Sequence, residues 1–410
     1  MDNLPRHIMV KLEHIQEADI VIGIGSLNKN TSLKDVIKAL SLGLAKYFPD
    51  YKAVLINATF NSLKSENQIF LTLDPYEDRE LNFIYTSFMP VHRILIEEEL
   101  NRKKFLRAVF QTADILNCDA CAIVGGDLEC INPEWVEALL TPVIKVNYDY
   151  ISPVYITHRY DALIVNHLVY PITRSLYGVE LRYPAGGDYG FSIDLVRTFL
   201  EKDIWNTDID IDIWMYTCAI GEGFELGQTF LGSKYIDEYC NISEMAETFR
   251  KNLASIFRLM KIYRDIWSNC EEEKHIASFG YNYKIIPKTI YLNLEEIKSE
   301  GNKKIEKFKS IIRRILSENT FSHVEQVLSQ KEIIFFPADL WIKIIYEYSS
   351  YMLFHPDDYN LLESIIPLFL FYIFSSVSIE VDENFEENIQ YKCLKFMEMR
   401  TYLLQLWNNT

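Results

Sequence analysis

"AIVGGDLECINPEW", residues 122–135, carries an apolar run into two glycines and one aspartate, after which a proline opens what reads as a helix. A short, nearly continuous apolar run that stops at glycine is how a strand covered on both faces is written. Proline in a first helical turn sacrifices no hydrogen bond, and Asn132 before it reads as the N-cap. The stretch is therefore strand, tight loop, helix.

The same phrasing recurs upstream. "ADIVIGIG", residues 18–25, is a second apolar run ending at glycine. The helix "SLKDVIKALSLGLAKYF" follows it, with Leu33, Val36, Ile37, Leu40, Leu44 and Phe48 on one stripe and Thr31 or Ser32 as N-cap. "YKAVLINAT" reads as a strand, "RKKFLRAVFQTADIL" as a helix and "DACAIVGGD" as the next strand. Such alternation predicts a parallel, doubly wound sheet over about the first 150 residues. Further on, "YDYISPVYITHRYD" reads as a strand with its exit loop. "RYPAGGDYGFSIDLV" combines a glycine pair, an aspartate and a following helix, and "IDIDIWMYTCAIGEG" is another helix. Beyond Tyr239 helical periodicity dominates. The chain thus divides into an α/β domain, residues 1–240, and a helical extension, residues 241–410, that covers the sheet or makes a dimer contact.

Composition narrows the function. The chain has 410 residues, 49% hydrophobic and 24% charged, enough to bury a large core. A net charge of −17 argues against non-specific nucleic-acid binding and against an anionic membrane surface, since both use positive fields. An anionic substrate then needs a local basic pocket. Seven cysteines, an odd number without framework spacing, fit a reducing cytoplasm. Cys118 and Cys121 form a C-x-x-C without a second ligand pair, and Cys121 lies in a strand, so it reads as a buried structural thiol. The start "MDNLPRHIMVKLEHI" lacks the apolar segment of a signal peptide. "IIPLFLFYIFSSV", residues 365–377, falls short of the ~20 residues a span needs and contains Pro367, so it reads as a buried helix. The expectation is a cytoplasmic protein without a membrane span.

In open α/β sheets, ligands bind beyond the carboxyl ends of the strands. Three such ends are candidate site loops: "GIGSLNKN", "NATFNS" and "GGDLE".

Five segments, in this order over residues 15–240, carry a resemblance: "ADIVIGIGSLN", "GLAKYFPDYKAVLIN", "LECINPEWVEALLTPV", "HRYDALIVNHLVYPITRSLYGVELRYPAGGDYGFS" and "DIDIWMYTCAIGEGFELGQTFLGSK". Together they resemble a bacterial and archaeal branch of the GT-A-fold glycosyltransferases, the branch of glucosyl-3-phosphoglycerate and mannosylglycerate synthases. The resemblance implies an α/β fold of GT-A type, with a Rossmann-like, mostly parallel central sheet and flanking helices. It also implies retaining hexosyl transfer from a UDP- or GDP-sugar to a small acidic acceptor of glycerate or phosphoglycerate type.

On the donor side the resemblance implies that Gly25, Ser26, Leu27 and Asn28 hold the base, with Asn57 nearby. Asn28 and Asn57 read equally well as turn residues. Thr59 stands where relatives carry an aspartate. A glycine–lysine–glycine loop facing the diphosphate is replaced by "NRKKFLR", with Arg102, Lys103, Lys104 and Arg107. Cations there would neutralise a leaving diphosphate; the other reading is a solvated basic helix start. The family's Asp-x-Asp binds Mg²⁺ or Mn²⁺, but here Gly125 precedes a lone Asp127. Gly126 permits close backbone approach to a ligand, and Asp127 either faces the donor and its metal or merely opens the following helix. Ile236 replaces a histidine ligand, so that ligand is gone unless Asp237 substitutes, and the metal site is weak at best.

On the acceptor side it implies His158, Tyr160, Asp161, Asn166, Gly186 and Gly187, with Arg174 or Arg182 pairing an acceptor anion. Asp188, able to hold sugar hydroxyls, and Asp212, near the acceptor hydroxyl, are the catalytic candidates. Two readings stand: a working transferase, and a catalytically impaired paralogue acting as a binding or assembly partner. The extension would serve a homodimer, or a heteromer with an active paralogue.

Overall fold

The computed structural model of the chain describes residues 4, 6–26, 33–59, 91–96, 101–126, 130–234, 241–280, 287, 289–330, 335–356, 358–379 and 384–408. The strands are β1 (Ile20–Ser26), β2 (Ala53–Thr59), β3 (Val91–Ile96), β4 (Ala120–Gly125), β5 (Tyr150–Ile156), β6 (Tyr189–Ser192), β7 (Leu226–Ser233) and β8 (Ala277–Phe279). Among the described residues they form one eight-stranded sheet in the order β3-β2-β1-β4-β6-β5-β7-β8. β1 pairs in parallel with β2 and β4, β2 with β3, β5 with β7, and β7 with β8. β6 alone runs antiparallel, inserted between β4 and β5. The expected α/β architecture with a mostly parallel sheet and flanking helices is met, and the helical C-terminal region is present.

The apolar strand runs are central because both their faces are covered. Ile20, Val21, Ile22 and Ile24 of β1 and Ala120, Cys121, Ala122, Ile123 and Val124 of β4 are all buried. On one face lie the helices Leu33–Tyr47 and Glu134–Val146, with Val36, Ile37, Leu40, Leu44 and Phe48 of the predicted stripe in the core. On the other lie Arg102–Ile115, Ile193–Glu201, Ile211–Gly221 and a π-turn, Val165–Val169, that runs into Tyr170–Tyr177. Helix Arg102–Ile115 packs so closely that a Cβ on Gly23 of β1 would stand 2.6 Å from Val109.

Three details depart from the sequence reading. Helix Glu134–Val146 has Pro133, not Asn132, at its cap, without a side-chain hydrogen bond. β6 was hidden in the glycine-rich "RYPAGGDYGFS" segment, because a four-residue strand shows too little alternation to register. The apolar run is also longer than expected. Residues Tyr359–Ile379 span 21 residues and contain an 18-residue window of mean hydropathy 1.8, enough by length and composition to cross a membrane. Yet 78% of its most apolar window is buried inside the protein, and Pro367 sits in the first turn of Ile366–Ile379, where it interrupts nothing.

The extension continues the same core. Phe249 stacks on Phe369 at 3.8 Å between ring centroids, and Trp341 on Tyr372 at 4.9 Å. The Trp341 indole donates to the carbonyl of His167, in the π-turn, at 3.1 Å. Helix Phe385–Glu398 packs against Tyr170–Tyr177, and β8 adds an edge to the sheet beyond β7. The change at residue 240 is one of sequence character, not of hydrophobic core. Cys118 and Cys121 are both buried, and burial pushes the Cys118 thiol up to about 12.

A Cβ on Gly190 of β6 would stand 2.2 Å from the carbonyl oxygen of Leu139, in the helix lying over it. Backbone must move to admit it. Gly190→Ala is therefore expected to destabilise by about 3 kcal/mol, the upper end for overpacking, read as a shift in urea midpoint.

Candidate functional site

Parallel pairing sets the carboxyl ends of β1, β4, β5 and β7 along one edge of the sheet. Because β6 enters antiparallel, the turn that precedes it, Gly186 to Asp188, arrives at that same edge. Gly25 pairs with Gly125 across β1 and β4, and the Gly126 amide donates to the Gly25 carbonyl at 2.7 Å.

Asp188 is fully buried. Its Oδ1 accepts from the Gly125 amide at 2.8 Å, and its Oδ2 accepts from the Tyr155 hydroxyl and from Lys234 Nζ. Burial, reinforced by the Asp188 charge, pushes the Tyr155 phenol far above its ordinary range, so it remains a donor. Lys234 follows β7 directly and is 15% exposed. Its ammonium also donates to the Gly186 carbonyl at 3.3 Å and lies 5.1 Å over the Tyr155 ring.

Gly187, at φ +86°, takes a conformation suited to glycine, and its amide donates to the Tyr189 hydroxyl at 3.0 Å. Its carbonyl accepts from Arg102 Nη2 at 3.0 Å. Arg102 opens a helix capped by Asn101 and forks onto Asp212, Nε to Oδ2 at 3.2 Å and Nη2 to Oδ1 at 2.8 Å. Burial works against the Arg102 charge, but Asp212 more than offsets it and holds the guanidinium ionised. Asp212 lies in the first turn of helix Ile211–Gly221, whose cap, Asp210, accepts from the Asp212 and Ile213 amides. Burial, and then the Asp212 charge, raise the Asp210 carboxyl to about 6.

The structure thus brings together Gly25, Gly126, Arg102, Gly186, Gly187, Asp188 and Asp212. Ser26 closes β1, while Leu27, Asn28 and Asp127, together with Ile236 and Asp237, lie outside the described residues. Asn57 is half-buried within β2, opposite Ile24 and Leu95 and two residues short of the strand's end. Lys103 has a different task from the one read in sequence. Its ammonium donates to the carbonyls of Ile204 and Thr207 and to the Thr207 hydroxyl, and so fastens the loop before Asp210. Asp188 is likewise reassigned: buried, with both oxygens bonded, it is a positioning residue and does not reach a sugar hydroxyl.

The residues expected at the acceptor separate into a partly open loop and a buried network. His158 and Tyr160 follow β5, with His158 Nδ1 accepting from the Tyr160 amide at 3.2 Å and Arg159 over the Tyr160 ring at 4.5 Å. Asp161 is buried and accepts from the Ala162 amide at 2.8 Å. Asn166, fully buried, donates to the Asp161 carbonyl and accepts from Arg182 at 2.8 Å. Arg182 then pairs with Glu386 at 2.9 Å, and Arg174 with Glu180 and Glu273 and with the amide oxygen of Gln390. The two arginines read as partners for an acceptor anion are therefore held by carboxylates of the protein itself, most of them from beyond residue 240.

Two site residues escaped the sequence reading. Lys234 had a signal, as the last letter of "FLGSK" at a strand end. Tyr155 had none beyond its place near the end of an apolar strand.

Among the described residues no group of three His, Cys, Asp or Glu side chains is placed to hold a metal ion. Gly125 has no ligand to offer, and the carboxylate bonded to its amide already carries Tyr155 and an ammonium. Gly125, Asp188 and Lys234 do not fit a divalent cation; Asp127 and Asp237 lie outside the described residues.

No family model matches the chain, and no curated protein matches it. Among solved structures it is similar to glucosyl-3-phosphoglycerate synthase from Mycobacterium tuberculosis in complex with Mn²⁺, UDP-glucose and phosphoglyceric acid. The identity is 13%, over 64% of this chain and 86% of that one, with a TM-score of 0.41. It is also similar to a mannosyltransferase from Pyrobaculum calidifontis in complex with GDP-mannose and Mn²⁺, at 9% identity over 61% and 65% of the two chains and a TM-score of 0.40. A third is mannosyl-3-phosphoglycerate synthase from Rubrobacter xylanophilus, at 12% identity over 64% and 79%, with a TM-score of 0.36. At such identities and TM-scores the likeness does not extend to activity.

Asp210 carries a pH signature. Its folded-state pKa of about 6 lies above the ordinary 3.8, so its contribution to stability is complete at low pH and is lost as pH rises through 6. Asp210→Asn keeps the cap acceptor and removes the titration. In urea unfolding the variant should gain on the parent between pH 4 and pH 7, by up to about 3 kcal/mol at 1.36 kcal/mol per unit.

Proposed function

We propose that the protein is a glycosyltransferase that takes a hexosyl group from a UDP- or GDP-sugar bound at the carboxyl ends of β1 and β4. One observation carries the reading. Two cations, Lys234 and Arg102, are fixed on the consecutive carbonyls of Gly186 and Gly187, beside the backbone of Gly25, Gly125 and Gly126. Fixed positive charge at a glycine-lined strand end is what a diphosphate requires. Transfer to a small acidic acceptor of glycerate or phosphoglycerate type, with retention, follows the sequence resemblance. In that reading Asp212, oriented by Arg102, faces the acceptor hydroxyl, and His158 and Tyr160 border the acceptor. Residence in the cytoplasm and a homodimer belong to the same proposal.

A second reading has its own observation. Lys234 and Arg102 are each already bonded to a protein carboxylate, Asp188 and Asp212, and Arg174 and Arg182 likewise. A chain that had lost its chemistry and kept its fold as a binding or assembly partner would be neutralised in this way.

Calorimetric titration with UDP and GDP, each with and without Mg²⁺ or Mn²⁺, separates them. The transferase reading expects micromolar binding of one nucleotide, weakened at least about tenfold in Arg102→Met, a loss of about 1.4 kcal/mol. Binding of neither nucleotide under any condition would transfer the conclusion to the second reading.

A further inference from the structure

We infer that Lys234 occupies the electrostatic role of a divalent cation, so that this chain binds its nucleotide diphosphate without metal. The inference rests on the transferase reading above and concerns how the same site handles charge.

The ammonium is placed, not merely present. Asp188 Oδ2, the Gly186 carbonyl and the face of Tyr155 fix Nζ, and Asp188 is itself fixed by the Gly125 amide. Lys234 thus stands one carboxylate away from the strand end whose glycine lacks a metal ligand. Two of its three N–H groups are used in these bonds, and no third hydrogen-bond acceptor lies against it among the described residues. Gly187 keeps side-chain atoms off one side of the ammonium: a Cβ there would stand 3.7 Å from Nζ. At φ +86° the position also favours glycine on backbone grounds.

Arg102 completes the arrangement from the next carbonyl along. An ammonium and a guanidinium together carry two positive charges, the formal charge of Mg²⁺ or Mn²⁺, and like a bound metal ion they are held by carboxylates, Asp188 and Asp212. The geometry is pre-set, as electrostatic stabilisation requires, and Lys acts on phosphate as a point charge. A divalent ion, by contrast, would meet a carboxylate that is already bonded and a like charge at hydrogen-bond distance from it.

The test is titration of UDP and GDP in excess EDTA and in saturating Mn²⁺, for the parent, Lys234→Arg and Lys234→Gln. The expected result is parent affinity equal within about twofold in the two buffers. Lys234→Arg should hold that affinity roughly, and Lys234→Gln should lose at least about tenfold in both. Because removing Lys234 strands Asp188 as a buried charge, the double variant Lys234→Gln, Asp188→Asn is measured alongside; it should fold and show the same loss. Binding that appears only with Mn²⁺, or parent-like binding by the folded double variant, would overturn the inference and leave the transferase reading standing. Binding of neither nucleotide in either buffer would overturn both.

Discussion

The Asp188 carboxylate is the knot on which the working edge of this molecule depends. A fully buried carboxylate is tolerable only when its lone pairs are met, and here the donors come from three strands of the sheet or their ends. The Gly125 amide ends β4, Tyr155 lies in β5, and Lys234 follows β7. One side chain therefore sets where three strand ends stop relative to one another. The same atom pattern explains why Gly186 and Gly187 sit where they do: the turn must deliver Asp188 inward while its carbonyls face the two cations.

A second ionic layer ties the sheet to the helical extension. Arg182, between Asn166 and Glu386, and Arg174, between Glu180, Glu273 and Gln390, take their partners across more than two hundred residues of sequence in the farthest cases. Guanidinium forks suit such buried, multi-partner positions better than ammonium would. The aromatic stacks around Phe249, Trp341, Phe369 and Tyr372 supply the apolar part of the same junction.

Much of the fold was legible because it rests on short-range pattern. The buried runs of β1 and β4 and the stripe from Val36 to Phe48 were read from apolar spacing alone. What escaped was either too short, as with β6, or long-range. Nothing local in "HRYDALIVNHLVYPITRSLYGVELR" says that its arginines will meet Glu386 and Glu273. Their basic character was legible and their partners were not, since charge pairing across a fold leaves no periodicity. Within the candidate site, glycines at strand ends and Arg102 could be seen in advance. The burial of Asp188 and the importance of Lys234 depend on β6 lying between β4 and β5, which sequence pattern did not disclose.

That insertion bears on the order in which the molecule is built. The chain lays down β4, then β5, and only afterwards returns to place β6 between them. A strand that fills a slot between two earlier neighbours gains its full pairing when both are in position, and its contacts are non-local. The turn at Gly186 to Asp188 enters with β6, so the edge that carries the two cations takes shape only as the sheet closes. Partly folded forms of this chain would hold the apolar layers and lack the site.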